Sequence, residues 1–211
     1  MDSAKKHHFT TFIGIDPGLS GAVAVLDQQG VLVLVEDLPT CRQGGFIKRR
    51  VDPTQLRAIV APYAQDSLVA LELVGARTGQ GALSGASLAS SMACCEGVLV
   101  GLGAERVLRL PPMIWKAGMG LVGRGKGGSV DRAKALTGRT LRHDQAEAVL
   151  LARFAWLQRD KPLVSMAQDD QPQTQPRAKA PAPRSRKQKH IAEKENDDLG
   201  AFAVAEVEGQ D

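Results

Sequence analysis

Four acids stand where their apolar neighbours give little reason for a charge. Asp16 closes the apolar stretch Phe12-Ile13-Gly14-Ile15 and precedes Pro17-Gly18, and Glu72 interrupts the apolar run Ser67 to Val74. Asp144 and Glu147 lie together in the segment His143 to Gln158. A carboxylate taken out of water without a partner is costly, so each of the four should meet a cation or a metal. Taken singly, each has an ordinary explanation. An Asp before Pro-Gly is turn chemistry, a Glu in an apolar strand can lie at a sheet edge, and acids in a helix's first turn complement its dipole. The set is what points to a site, because it needs two strand positions and one helix face to coincide. Oxygen ligands alone select Mg²⁺ or Mn²⁺, and two such ions ~4 Å apart can activate water and stabilise a leaving oxygen in phosphodiester cleavage. The chemistry implied is phosphoryl transfer on nucleic acid.

The elements that must position these acids alternate between strand and helix. Thr11 to Ile15, Ala22 to Leu26 and Val31 to Val35 read as strands, with Gly30 as a turn, and their short connections imply an antiparallel meander. Asp52-Pro53-Thr54-Gln55 combines an N-cap acid, a proline at the first helical position and a Gln three residues after the cap. It opens a helix to about Tyr63. Ser67 to Val74 reads as a buried strand, Leu83 to Leu102 as a helix of small residues, and Arg106 to Leu110 as a strand. Helices follow Pro111 and Ser129, and a last one spans His143 to Gln158. At 100° per residue, Glu147 and His143 fall on the stripe of Ala146, Leu150, Phe154 and Leu157, with Asp144 at its edge.

With 211 residues and 43% hydrophobic content, the chain can bury one domain-sized core. The net charge of +4 allows a polyanionic partner without demanding one. Cys41, Cys94 and Cys95 have no zinc-like spacing and fit a reducing compartment. No apolar run approaches the ~20 residues of a membrane span, and the first residues lack a signal peptide's apolar region, so a soluble intracellular protein is expected. Residues 1–10 are expected to be flexible, 11–160 to form one α/β domain, and 161–211 to be a disordered tail. The tail is basic at 176–190, then acidic, and ends in the apolar-containing Leu199 to Glu208, a possible docking segment for a protein partner.

Ile13-Gly14-Ile15-Asp16-Pro17-Gly18, the Glu of Leu71-Glu72-Leu73-Val74, and Asp144 to Ala148 (Asp-x-x-Glu-Ala) resemble, in order, the acidic motifs of RuvC-type Holliday junction resolvases. Gly75 to Gly103 followed by Arg109-Leu110-Pro111-Pro112-Met113-Ile114-Trp115-Lys116 is similar to the family's phage and prophage branch. The likeness covers about residues 11–158. It implies a ribonuclease H-like α/β fold, a mixed five-stranded sheet flanked by helices, so that 11–160 would be a RuvC-like nuclease domain. It also implies a cytoplasmic, nucleoid-associated homodimer of a bacterial or phage-infected cell, which nicks a four-way DNA junction symmetrically by metal-activated water. By motif position, Asp16, Glu72, Asp144 and Glu147 would bind two Mg²⁺, with Mn²⁺ able to substitute. Two departures matter. The acid-histidine pair stands one residue closer to Glu147 than in branch members, which leaves His143 as an alternative ligand to Asp144. The aromatic wedge that many relatives carry after the strand Glu is replaced by Leu73 to Arg77.

Candidates for contact with a DNA backbone are Arg77 and Gln80 in the glycine-rich 75–85 loop, and Lys116, Arg124 and Lys126 around Gly120 to Ser129. Arg132 and Lys134 read equally as a solvated face. Trp115 and Met113 read as packing residues, and Gly85, Ala86, Ala89, Ser90 and Ala93 as a small-residue surface for tight packing or a dimer seam. Two other classes compete. One is a junction-binding protein with an inactive centre. The other is an actin-like ATPase, which is disfavoured because that fold needs two such domains.

Overall fold

A computed structural model describes residues 8–42, 45, 47, 49–73 and 81–161. The chain divides into two units, Met1–Pro162 and Leu163–Asp211, and the whole of the second lies outside the described residues. The expected flexible N-terminus and disordered tail also fall almost entirely outside them.

The elements run β1 (Thr11–Asp16), β2 (Ala22–Leu26), β3 (Leu32–Asp37), β4 (Thr40–Arg42), β5 (Arg49–Val51), α1 (Pro53–Ala64), β6 (Ser67–Glu72), α2 (Ala82–Gly101), β7 (Arg106–Leu110), α3 (Pro112–Gly118), α4 (Lys126–Thr137) and α5 (His143–Gln158). Five strands form one mixed sheet in the order β3-β2-β1-β6-β7, with β1, β2 and β3 antiparallel and β1, β6 and β7 parallel. This is the mixed five-stranded sheet flanked by helices that the resemblance implies. The small β4–β5 hairpin was not expected, and its two three-residue strands carry no alternating signature of their own.

Turn and cap chemistry sets the boundaries. Gly30 takes a φ of 79°, and Asp27 Oδ1 accepts from the Gln29 and Val31 amides, closing the β2–β3 turn. Asp52 accepts from the Thr54 and Gln55 amides at 2.9 and 3.2 Å, with Pro53 at the first helical position, as predicted for α1.

Strand alternation divides the sheet into two faces. Ile13, Ile15, Val23, Val25, Val69 and Leu71 join Leu56 and Val60 of α1 and Cys95 and Leu99 of α2 in one core. The alternate residues Phe12, Gly14 and Asp16 on β1, and Leu68, Ala70 and Glu72 on β6, therefore face the other side. There α5 packs on β1 and β2, with α4 against α5. At Gly14 the approach is close. A Cβ there would lie 2.1 Å from the Ala148 carbonyl oxygen and 2.2 Å from the Ala152 nitrogen.

Three expectations need correction. Helix α5 is not amphipathic: Ala146 through Ala152, Phe154 and Ala155 are buried, while Leu157, placed on the inward stripe, is 43% exposed. Between sheet and α4 the helix is enclosed on more than one side. Helix α4 begins at Lys126 rather than after Ser129, so both residues lie in its first turn. By length and composition α2 could cross a membrane, contrary to the reading that no apolar run is long enough. Its Ser91, Cys95 and Leu99 nevertheless pack into the protein, and Leu83, Ala86, Ala89, Ala93, Gly97 and Val100 are exposed.

Replacing Gly14 by Ala should push α5 off the sheet. We expect a loss of about 3 kcal/mol, the upper range for overpacking, read as a lowered denaturant midpoint. An unchanged midpoint would mean that the helix yields without cost.

Candidate metal centre

Asp16 and Glu72 reach the site through register. Ile15 pairs with Leu71 across the parallel β1–β6 ladder, so the next residues, Asp16 and Glu72, leave the carboxyl ends of adjacent strands on the face toward α5. The antiparallel pairing of Asp16 with Ala22, and of Ala22 with Asp37, brings the end of β3 to the same edge. Asp37 there binds Arg142 and, at 3.0 Å, the Gln145 amide group, tying down the start of α5. Glu147, one turn further along, then points at the two strand acids.

One ligand oxygen from each of Asp16, Glu72 and Glu147 lies within 4.8 Å of the other two. Glu72 and Glu147 are buried, at 7% and 6% exposure. Among the described residues this is the group of acids and histidines that could hold a metal ion. His143 and Asp144 stand at its rim. His143 Nε2 is 3.5 Å from Glu147 Oε1, and its Nδ1 is 3.4 Å from Asp144 Oδ1. Asp144 is outside the three-acid group, yet its charge is felt at Asp16.

Three side chains that the sequence did not assign to the acids, Trp115, Lys116 and Ser129, reach them. Trp115 Nε1 donates to Glu72 Oε1 at 3.0 Å, Ser129 Oγ donates to Glu147 Oε1 at 3.1 Å, and Lys116 Nζ stands 2.8 Å from the same Glu147 oxygen. Trp115 was read as packing, and being fully buried it does pack, but its one polar atom goes to an acid. Lys116 was assigned to phosphates and is 33% exposed, within reach of both Glu147 and solvent. Arg124, in the stretch joining α3 to α4, and Lys126, the first residue of α4, are both exposed. Arg77 and Gln80 lie outside the described residues.

Crowding shows in the charge of Asp16. Burial first, and then the Glu72, Glu147 and Asp144 carboxylates, raise its pKa from 3.8 to about 7, against a lowering hydrogen bond from the Gly18 amide. The donors are hard oxygens, close enough together for a small divalent ion whose ligands stand about 2.1 Å away. A cation would also relieve the repulsion that burial imposes. The residues therefore fit Mg²⁺ or Mn²⁺.

No family model matches the chain, and no curated protein matches it. Among solved structures, it is similar to Thermus thermophilus RuvC in complex with a Holliday junction substrate, at 18% identity and a TM-score of 0.56 over 72% of this chain and 96% of that one. A second structure of Thermus thermophilus RuvC matches at 18% identity and a TM-score of 0.54, over 71% and 95% of the two chains. At this identity the likeness establishes the fold, which is ribonuclease H-like in the manner of RuvC.

The raised pKa of Asp16 has a sign that can be tested. Folded, metal-free protein holds the Asp16 proton up to about pH 7, whereas the unfolded chain releases it near 3.8, so between these values the folded state binds more protons. Its stability should fall as pH rises through that window. Thermal melts in EDTA should show this decline in the parent protein and a weaker one in Asp16→Asn, while Mn²⁺ affinity by calorimetry climbs as pH passes 7. Parallel melting profiles of the two proteins would contradict the assignment.

Proposed function

We propose that the protein is a magnesium-dependent, structure-selective endodeoxyribonuclease of the RuvC type, which cleaves Holliday junctions or other branched DNA by paired symmetric nicks. The observation that carries this reading is the convergence of Asp16, Glu72 and Glu147 at the carboxyl edge of a RuvC-like sheet. In this reading Asp16, Glu72 and Glu147 hold the metal, two ions per site, with Asp144 or His143 completing the set from the rim. The ions would supply Lewis-acid activation of water and charge stabilisation at the leaving oxygen. Lys116, beside Glu147, would meet a phosphate. Arg124 and Lys126 extend that basic path, and Arg77 and Gln80 are assigned to DNA on sequence alone.

A two-fold substrate suits a two-fold enzyme, and we infer a homodimer. Its seam would be the exposed small-residue face of α2, where Ala86, Ala89 and Ala93 face solvent and Leu73, Leu88 and Met92 line an apolar hollow beside them. Residues 11–160 would be the nuclease domain and 161–211 a tail for DNA or a protein partner. The setting would be the cytoplasm of a bacterial or phage-infected cell, within the phage and prophage branch.

One observation favours a second reading. The Lys116 ammonium already neutralises part of the acid cluster, as it would in a junction-binding protein whose centre is inactive. Tight junction binding without nicks in either Mg²⁺ or Mn²⁺ would establish that alternative.

On a synthetic four-way junction, the parent protein should nick opposing strands symmetrically in Mg²⁺ and not in EDTA. Asp16→Asn and Glu72→Gln should each lose at least about a thousandfold in rate, roughly 4 kcal/mol of barrier, while junction affinity in Ca²⁺ holds. Normal activity in either variant would remove the acids from the mechanism. For the seam, Ala93→Glu should convert a dimer to a monomer by light scattering, and an unchanged mass would place the interface elsewhere.

A further inference from the structure

Two neutral donors reach the acid cluster from one stretch of chain, and nothing in the sequence singled them out for it. Trp115 follows Leu110, the partner of Glu72 in the β6–β7 ladder, by five residues, and α3 turns its indole back onto that acid. Ser129, 5% exposed in the first turn of α4, reaches Glu147 across the α4–α5 contact. Both bonds end on an Oε1 oxygen. An indole N–H can only donate, and a carboxylate has about four lone-pair sites on two oxygens. Such a bond fixes the plane of the carboxylate without cancelling its charge, whereas the Lys116 ammonium beside Glu147 Oε1 offsets part of that acid's charge.

We propose that Trp115 and Ser129 are positioning residues that orient the Glu72 and Glu147 carboxylates for a divalent cation. The proposal rests on the reading of these acids as a metal centre. Partners of this kind typically account for 10- to 100-fold in metal affinity. A purely structural role for a buried indole would be served as well by another aromatic ring.

Calorimetry with Mn²⁺ on the full chain separates the two roles. Trp115→Phe keeps an aromatic ring and removes the donor, and Ser129→Ala removes only a hydroxyl. Each should weaken Mn²⁺ binding by about tenfold or more, with junction affinity in Ca²⁺ unchanged, and Ser129→Thr should restore binding. If Trp115→Phe fails to fold, the serine pair carries the test for Glu147. A fluorescence titration of the Trp156→Phe protein then reports on Glu72. That variant leaves Trp115 as its single indole, and Trp156 itself lies apart, bonded to the Gln28 carbonyl. Its emission should shift on adding Mg²⁺. Mn²⁺ affinity within twofold of the parent in both Trp115→Phe and Ser129→Ala, or Mg²⁺ binding without an emission change, would overturn the proposal. A parent protein that binds neither ion would instead overturn the metal-centre reading, and the inference with it.

Discussion

Nothing can stand between β1 and α5 at Gly14. The helix backbone passes so near that a methyl group would overlap the Ala148 carbonyl and the Ala152 nitrogen, and this contact decides where the rest of the site falls. Glu147 precedes Ala148 and Asp16 lies two residues beyond Gly14, so a helix seated this deeply carries one acid to within reach of the other. Had β1 carried a side chain there, α5 would stand further from the sheet and Glu147 with it. Helix α4 packs on the outer side of α5, and so Ser129 also takes its position from the same contact.

Bringing three carboxylates together works against folding. At 4.8 Å, two full charges repel by about 3 kcal/mol at an effective dielectric constant of about 20. The protein meets this cost in three ways. Burial and crowding raise the Asp16 pKa to about 7, which lets that group stay neutral below neutrality. Trp115 and Ser129 give hydrogen bonds that replace lost water. Lys116 brings an opposite charge to Glu147 from a position still open to solvent. The arrangement is tolerable without metal and better satisfied with one.

How much of this was legible depends on whether the signal was local. The bounds of β2, β7 and α5 follow from runs of apolar residues ended by turn residues, and α1 from a cap within four residues of chain; all four were read closely. Asp16, Glu72 and Glu147 were legible because a charge amid apolar neighbours is conspicuous in one dimension. Their supporting partners were not. Trp115 meets Glu72 across 43 residues and Ser129 meets Glu147 across 18, and no periodicity records such a meeting. Gly14 did leave a signal, since a glycine inside a strand often marks a close backbone approach. The helical stripe drawn through Leu157 failed because α5 is covered by both sheet and helix, a circumstance set by distant segments.

The two halves of the site also differ in how they are built. Two acids are fixed by the sheet ladder and the third by a helix locked onto it, so their separation is a property of the core. The supporting groups come from residues 112–137, a stretch of two helices joined by a turn with Gly120 and Gly123 at positive φ. The same stretch holds Lys116 beside Glu147 and exposes Arg124 and Lys126. Anything that moves this stretch also pulls on the hydrogen bonds that Trp115 and Ser129 give to Glu72 and Glu147. A site whose acids are set by sheet and helix thus takes its two buried hydrogen-bond donors, Trp115 and Ser129, from a separate stretch of chain.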